Sequence, residues 1–131
     1  MRRPIIAGNW KANLTRDGAA ALVQQLKAPC DTAAVEVVVC PPFTALAAVA
    51  PLLQGSRIAL GAQDVFWEPS GAFTGEVTPP MLVDLGCRYV IVGHSERRTH
   101  FGESDEAVGR KLRAALVHGL APIVCIGETL T

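Results

Sequence analysis

The segment YVIVGHSERR, residues 89–98, decides the fold. Its first four residues form an uninterrupted apolar run rich in valine and isoleucine, which is typical of a strand buried on both faces. Gly93 follows the run, and Ser95 with Glu96 begins a short helical turn. The segment therefore predicts a buried strand that leads into a helix through a polar corner centred on His94.

Four other apolar runs have the same character. They span residues 4–7, 35–39, 58–60 and 123–126. They lack the alternation of apolar and polar residues found in half-exposed antiparallel strands, and enough chain separates them for intervening helices. The pattern predicts an α/β fold with a parallel sheet and right-handed crossovers. Ligands of such sheets bind at the carboxyl ends of the strands.

The segments between these runs carry helix start and stop signals. Thr78 and Pro79 suit the beginning of a helix, and Gly86 suits its end. Similar signals predict a helix from Ser104 to Gly119, with Asp105 and Glu106 in its first turn. Leu22 and Leu26 indicate another helix after Thr15, and the apolar, alanine-rich residues 44–54 predict a third, with a bend or break at Pro51.

The composition indicates one globular domain with a buried core. Of the 131 residues, 50% are hydrophobic, and 12 Lys and Arg balance 12 Asp and Glu. This balance argues against a nucleic-acid or anionic-membrane partner. No apolar run approaches the roughly 20 residues of a membrane span, and a secretory signal is not expected. The four widely spaced cysteines favour reduced, inert thiols and a cytoplasmic location.

The connection from Asp64 to Thr78 differs from the other loops. It has no helical period and contains Phe66, Trp67 and Phe73. Long loops in compact domains are usually functional or disordered, and aromatic residues favour an interface. Two interpretations stay open, a loop that docks on a partner and a loop that folds back on its own domain.

Asn9 and Lys11 follow the first apolar run, where the edge of the sheet would face a ligand. A lysine ammonium about 4 Å from a negative charge gains on the order of 4 kcal/mol before desolvation at an effective dielectric constant of about 20. A phosphate or an enediolate would therefore fit, and Asn9 could donate a hydrogen bond to it. The alternatives are a solvated surface lysine and an asparagine that serves a turn.

His94 would lie against the amino terminus of the helix that begins at Ser95. This position disfavours the imidazolium, so a neutral ring could donate to a carbonyl oxygen; a structural hydrogen bond is the alternative. Glu96 is either a general base or an ion-pair partner of Lys11. We favour the pair because a carboxylate beside a lysine has a lowered pKa. The spacing of the three histidines predicts no metal site, and dinucleotide, nucleotide-hydrolase and serine-hydrolase motifs are absent from the sequence.

Seven segments, taken in order, carry the most specific signal. They are Gly8-Asn9-Trp10-Lys11 with Asn13, Pro41-Pro42, Gly61-Ala62-Gln63-Asp64, Gly71-Ala72-Phe73-Thr74-Gly75-Glu76, Gly93-His94-Ser95-Glu96-Arg97-Arg98, Phe101-Gly102-Glu103 and Cys125-Ile126-Gly127-Glu128. Together they resemble the triosephosphate isomerase family. The resemblance implies that residues 1–131 are the amino-terminal portion of a single TIM (β/α)8 barrel, with about four βα units and a fifth strand.

The resemblance also implies a reaction and the residues that perform it. Family members interconvert dihydroxyacetone phosphate and glyceraldehyde 3-phosphate through an enediolate, in glycolysis and gluconeogenesis, without a cofactor or a metal. Asn9 and Lys11 would bind the substrate, and Lys11 would balance the charge of the phosphate and the enediolate. His94 would be the electrophile, and Glu96 would pair with Lys11. A neutral histidine at a helix amino terminus is already known for this family.

The loop that contains Phe73, Thr74, Gly75 and Glu76 resembles the dimerisation loop of the family. The implied partners are therefore a second copy of the protein and a triose phosphate, with no nucleic acid and no membrane.

The resemblance places the family's catalytic glutamate, mobile lid and glycine-rich phosphate loops beyond Thr131. We therefore expect the 131 residues alone to catalyse negligibly. Two hypotheses follow, part of an ordinary homodimeric isomerase and a non-catalytic half-barrel folding or assembly module. In the second case, unpaired edges at the first and fifth strands and uncovered apolar inner faces would cause self-association or a partly molten state.

Overall fold

The computed structural model describes residues 2–127 and 130 of the chain, so Glu128 of the seventh segment lies outside the described residues. Strands and helices alternate along the described chain. The strands are β1 Ile5–Asn9, β2 Glu36–Cys40, β3 Ala59–Ala62, β4 Tyr89–Val92 and β5 Ala121–Val124. The helices are α1 Arg16–Asp31, α2 Phe43–Val49, α3 Pro79–Asp84, α4 Ser95–Phe101 and α5 Asp105–Val117, with a 3₁₀ turn at Ala50–Leu53 after α2.

The five strands form one parallel sheet in the order β1-β2-β3-β4-β5. Each strand pairs with the strand that precedes it in sequence, and a helical segment follows each of the first four strands. This arrangement confirms the predicted parallel α/β fold and matches the first five strands of the expected barrel.

The strand boundaries differ from the predicted runs by one or two residues, except for β4, which agrees with its run. β1 continues through Gly8 and Asn9 because their backbones pair with Val39 and Cys40 of β2, and this pairing outweighs their low strand propensity. β5 begins at Ala121 and includes Pro122. Within the described residues β5 is an edge strand, where a proline is tolerated.

β3 also continues past its predicted end, through Gly61 and Ala62. A Cβ atom at Gly61 would lie 2.7 Å from Cys40 Sγ on the neighbouring strand. The glycine therefore leaves room for the Cys40 side chain, which a Cβ atom at this position would displace.

The helix boundaries follow the local signals closely. α3 begins at Pro79 after Thr78, and α5 begins after Ser104, whose Oγ accepts a hydrogen bond from the Ala107 N–H at 3.2 Å. The predicted helix over residues 44–54 divides into α2 and the 3₁₀ turn that contains Pro51, which confirms the predicted break at this proline. α4 runs three residues beyond Arg98, where the predicted turn ended, and its C-cap is Gly102, in the left-handed conformation with φ 65°.

The two faces of the sheet have different neighbours. One face packs against the helices, and the larger buried cluster there contains both strand residues, such as Val39, Leu60 and Val90, and helix residues, such as Val23, Leu46 and Leu82. The buried cluster on the other face consists of strand residues alone, namely Val38, Cys40, Ala59, Tyr89 and Ile91. We refer to this second face as the inner face.

The inner face is covered more completely than expected. Tyr89 and Ile91 are buried, and the Tyr89 hydroxyl donates a hydrogen bond to Glu36 Oε1 at 2.7 Å. Within the sheet, the exposed large apolar side chains belong to the two edge strands, where Ile6 of β1 is 62% and Val124 of β5 is 39% exposed, and Ile126, just after β5, is 85% exposed. The expectation of an uncovered inner face is therefore wrong for the central strands, because neighbouring side chains cover one another. In the described part of the chain, no helix has the length and apolar character required to cross a membrane.

Candidate active site

The carboxyl ends of β1, β3 and β4 surround one open cavity of about 410 Å³. Its polar lining includes Asn9, Lys11, Gln63, His94, Glu96 and Arg97. The four side chains that the sequence analysis assigned to substrate binding and catalysis therefore lie together. They come from loops far apart in sequence, which the order of the parallel strands brings to the same edge of the sheet.

An ion pair joins two of these loops. Lys11 Nζ lies 2.6 Å from Glu96 Oε1, across 85 residues of sequence. The hydrogen bond from Lys11, and then its charge, hold the pKa of Glu96 below its ordinary value. The favoured ion pair is thus present, and it keeps Glu96 ionised, which suits a positioning carboxylate better than a general base working near neutral pH.

The backbone of Lys11 adopts an unusual conformation. Its φ angle is 56°, in the left-handed region that residues with a side chain rarely occupy. Such a conformation costs about 1–3 kcal/mol and is common at functional sites. The Lys11 N–H donates a hydrogen bond to Asn9 Oδ1 at 2.9 Å, which supports this turn. Asn9 therefore has the turn role that the sequence suggested, and it also lines the cavity.

His94 lies at the N-cap position of α4. Its Nδ1 accepts a hydrogen bond from the Glu96 backbone N–H at 3.1 Å. Because a backbone N–H only donates, this contact requires an unprotonated Nδ1, and the neutral ring then carries its proton on Nε2. Glu96 Oε2 lies 3.6 Å from Nδ1, which is too long for a competing hydrogen bond. The site thus offers a neutral N–H donor.

Gln63 makes a contact that the sequence analysis did not identify. Its Nε2 donates hydrogen bonds to the Lys11 carbonyl oxygen at 2.8 Å and to the Cys40 carbonyl oxygen at 2.9 Å. The only signal in the sequence was its place directly after β3, among the polar residues at the carboxyl edge of the sheet.

A largely buried group of charges beside the site was also missed. Lys111 of α5 is 5% exposed, and its Nζ lies 2.8 Å from Asp64 Oδ1 and 2.7 Å from Glu103 Oε2. Arg97 Nε lies 2.8 Å from Glu103 Oε2 and 3.2 Å from Asp64 Oδ2. We call these four residues the charge cluster. In sequence, Lys111 resembles any other lysine of an amphipathic helix, so nothing there indicated its burial.

The charge cluster fixes the polar corner that leads to His94. Glu103 Oε1 accepts a hydrogen bond from the Gly93 N–H at 3.1 Å. Burial alone would raise the pKa of Glu103, but hydrogen bonds from Lys111 and Arg97 outweigh this effect, so the pKa lies below its ordinary value. The ionised carboxylate connects α5 to the end of β4.

The loop between β3 and α3 is ordered by its own aromatic residues. The Phe66 ring lies 4.3 Å from the Trp67 ring and 4.6 Å from the Phe73 ring, measured between centroids. Phe66 is buried, and its N–H donates to the Val77 carbonyl oxygen at 2.8 Å. The tip of the loop, Phe73 to Glu76, is exposed. The base of the loop therefore packs on its own domain while the tip stays available for a partner.

The cysteines are all free thiols. Burial raises the pKa of Cys40 and of Cys87 to about 12, which makes these two thiols unreactive, as the sequence suggested. In residues 2–127, no group of three or more His, Cys, Asp or Glu side chains is placed to hold a metal ion.

Comparison with known proteins identifies this arrangement. Residues 4–131 match the family model described as "Triosephosphate isomerase". The "Triosephosphate isomerase" of Moorella thermoacetica is 62% identical over 99% of this chain and 52% of its own length, and that of Chloroflexus aurantiacus is 63% identical over 98% and 52%. The crystal structure of the triosephosphate isomerase from Bartonella henselae superposes with a TM-score of 0.92 at 40% identity, over 98% of this chain and 54% of that one. The chain thus spans about half the length of these relatives.

Proposed function

Because the chain belongs to the triosephosphate isomerase family, we propose that it forms half of the active site of an enzyme that interconverts dihydroxyacetone phosphate and glyceraldehyde 3-phosphate. One observation carries the proposal. The Lys11 ammonium and the neutral ring of His94 lie at one cavity, and Glu96 contacts both of them. A cation and a neutral N–H donor are the two groups that an anionic carbonyl substrate needs while charge develops on its oxygen.

The proposed mechanism gives each side chain a separate task. Lys11 attracts the phosphate and balances the negative charge of the enediolate. Asn9 donates a hydrogen bond to the substrate from its amide nitrogen. His94 donates its Nε2 proton in a hydrogen bond to the carbonyl oxygen, which stabilises the enediolate after a proton leaves the adjacent carbon. Glu96 holds Lys11 in place, and proton abstraction is assigned to no residue of this chain.

The test is to complete the chain and measure turnover. Residues 1–131 are joined to the remainder of the Moorella thermoacetica relative, and isomerisation of glyceraldehyde 3-phosphate is followed in a coupled assay. We expect clear activity, and we expect His94→Gln to lower kcat about 100-fold or more because it removes the aligned donor. Circular dichroism establishes that both proteins fold. Two folded proteins with equally low turnover would show that the proposal is wrong.

The proposed partner is a second copy of the protein, bound through the exposed loop tip from Phe73 to Glu76. Sedimentation velocity of the completed protein should show a dimer, and Thr74→Arg should shift it to the monomer because a charge would be buried at the interface. The control is Gln25→Arg on the exposed side of α1. A Thr74→Arg protein that still dimerises would contradict this assignment. The proposed location is the cytoplasm, which the four free thiols support.

A second candidate function is a non-catalytic half-barrel that assembles with other chains. The observation that favours it is the pair of sheet edges at β1 and β5, which are unpaired within the described residues and carry exposed Ile6 and Ile126 close by. Such edges promote association. The 131-residue polypeptide should then self-associate or stay partly molten in sedimentation and circular dichroism, and a stable, well-folded monomer would count against it.

A further inference from the structure

We propose that Gln63 is a positioning residue for substrate binding, because its side-chain amide holds the Lys11 backbone in the conformation that directs the ammonium to the site. The inference rests on the proposed function, and it concerns how the same site is maintained. It also assigns a task to a motif residue that the mechanism above does not use.

The orientation of the Gln63 amide is determined by its partners. Both hydrogen bonds, to the Lys11 and Cys40 carbonyl oxygens, start from Nε2. Two carbonyl oxygens can only accept, so the nitrogen with its two N–H groups must face them. The amide therefore uses its full donor capacity to join the loop after β1 to the end of β2.

These contacts hold the Lys11 residue at both ends. Asn9 Oδ1 accepts from the Lys11 N–H at 2.9 Å, and Gln63 donates to its carbonyl oxygen at 2.8 Å. Between these two bonds the residue keeps a φ angle of 56°, although an extended or right-handed backbone is intrinsically preferred. Without the Gln63 bond, the peptide after Lys11 is free to relax toward the preferred conformations. A rotation there swings the long side chain away from its contact with Glu96 at 2.6 Å.

The fold itself depends less on Gln63. The Cys40 carbonyl oxygen also accepts a hydrogen bond from the Trp10 N–H at 3.1 Å, and five paired positions join β1 to β2. This junction keeps its register when Gln63 loses its donors. Loss of the amide should therefore affect the position of Lys11 more than the stability of the protein.

The experiment compares Gln63→Glu and Gln63→Met in the completed protein defined above. Gln63→Glu keeps the shape but places a carboxylate against two carbonyl oxygens, and Gln63→Met removes the polar group at similar length. We expect both to raise KM for glyceraldehyde 3-phosphate about tenfold, because a misplaced cation weakens binding of the phosphate in all bound states, and to lower kcat as well, because the same cation balances the charge of the enediolate. The matched control is Gln25→Glu on the exposed side of α1, which should leave KM unchanged.

A pH profile separates positioning from a merely structural role. A protonated carboxyl group regains one donor. The KM of Gln63→Glu, divided by that of Gln63→Met at the same pH, should therefore fall as the pH is lowered from about 8 to about 5. A lower melting temperature with KM unchanged in the folded protein would overturn the inference.

Binding of inorganic phosphate, measured by titration calorimetry, keeps the inference testable without turnover. We expect Gln63→Glu to raise the Kd about tenfold and Gln25→Glu to leave it unchanged. Unaltered binding by Gln63→Glu would overturn the inference even in an active enzyme. A completed protein that binds phosphate through Lys11 and Gln63 but does not isomerise would contradict the proposed function alone, and one that neither binds nor isomerises would contradict both.

Discussion

At the scale of single residues, the charge cluster holds the loops of the site in place. Lys111 places one ammonium between two carboxylates, and Arg97 contacts the same two from another helix. Removing one member of such a group lowers the stability of the protein, because the remaining charges stay buried without an opposite charge beside them. The charge cluster therefore governs both stability and the geometry of the corner at His94.

Lys111→Met should destabilise the protein by about 3 kcal/mol, since it leaves Asp64 and Glu103 close together with one cation instead of two. Urea denaturation measures the free energy of unfolding. Arg113→Met, on the exposed side of the same helix, is the control and should change that free energy by less than about 0.5 kcal/mol. Equal effects of the two substitutions would show that the cluster does not stabilise the fold.

Glu103 should also make stability depend on pH. Its pKa in the folded protein lies below the ordinary value of 4.5, so folding favours the ionised form. The stabilisation is complete above that ordinary value and is lost as the pH falls through the lowered pKa. Thermal unfolding between about pH 6 and about pH 3 should show a shallower decline for Glu103→Gln than for the parent protein. Parallel curves would exclude Glu103 as a source of the acid sensitivity.

At the scale of helices and strands, local chemistry determined where sequence-based prediction succeeded. The starts of α3 and α5 were predicted correctly because a cap residue and a first-turn proline or acidic pair act on their immediate neighbours. The ends of β1 and β3 were not predicted correctly. Gly8 and Gly61 become part of these strands only because they pair with residues far away in the sequence.

The same distinction applies to the candidate site. The approach of Lys11 to Glu96 could be predicted, since opposite charges after two parallel strands meet at one edge of the sheet. The contacts of Gln63 could not, because they depend on which backbone carbonyl groups a turn exposes. The burial of Lys111 depends on how α5 packs over the loops, which no local pattern in the sequence reports.

Ser104→Ala tests the helix cap of α5. The serine Oγ accepts the Ala107 N–H, and its loss should cost about 1 kcal/mol of stability. Thermal unfolding measures the change, and Ser70→Ala in the exposed loop serves as the control. A change as small as that of the control would show that water replaces the cap without penalty.

At the scale of the whole molecule, the residues that the structure describes contain five strands of the sheet and one side of the candidate site. The Bartonella henselae enzyme, of which this chain covers 54%, shares the fold of this portion closely, with a TM-score of 0.92. In the proposed chemistry, this portion supplies the cation, Lys11, and the electrophile, His94. The base is none of its residues.

The 131-residue polypeptide, expressed alone, should therefore show no isomerase turnover above that of its own His94→Gln variant. Without a base to remove the proton, no enediolate forms for the His94 donor and the Lys11 cation to stabilise. A coupled assay with a high concentration of glyceraldehyde 3-phosphate measures the rate. Turnover close to that of the completed protein would mean that a residue among these 131 acts as the base.

The ion pair between Lys11 and Glu96 also bears on the order of folding during synthesis. Its two residues are separated by 85 positions, and three strands must be added to β1 before they can meet. Each strand pairs with its immediate predecessor, so the sheet can grow in the direction in which the ribosome releases the chain. The short-range pairings form first, and the long-range contact closes after them. A spectroscopic probe at this pair would therefore report the moment at which β4 docks on the nascent sheet.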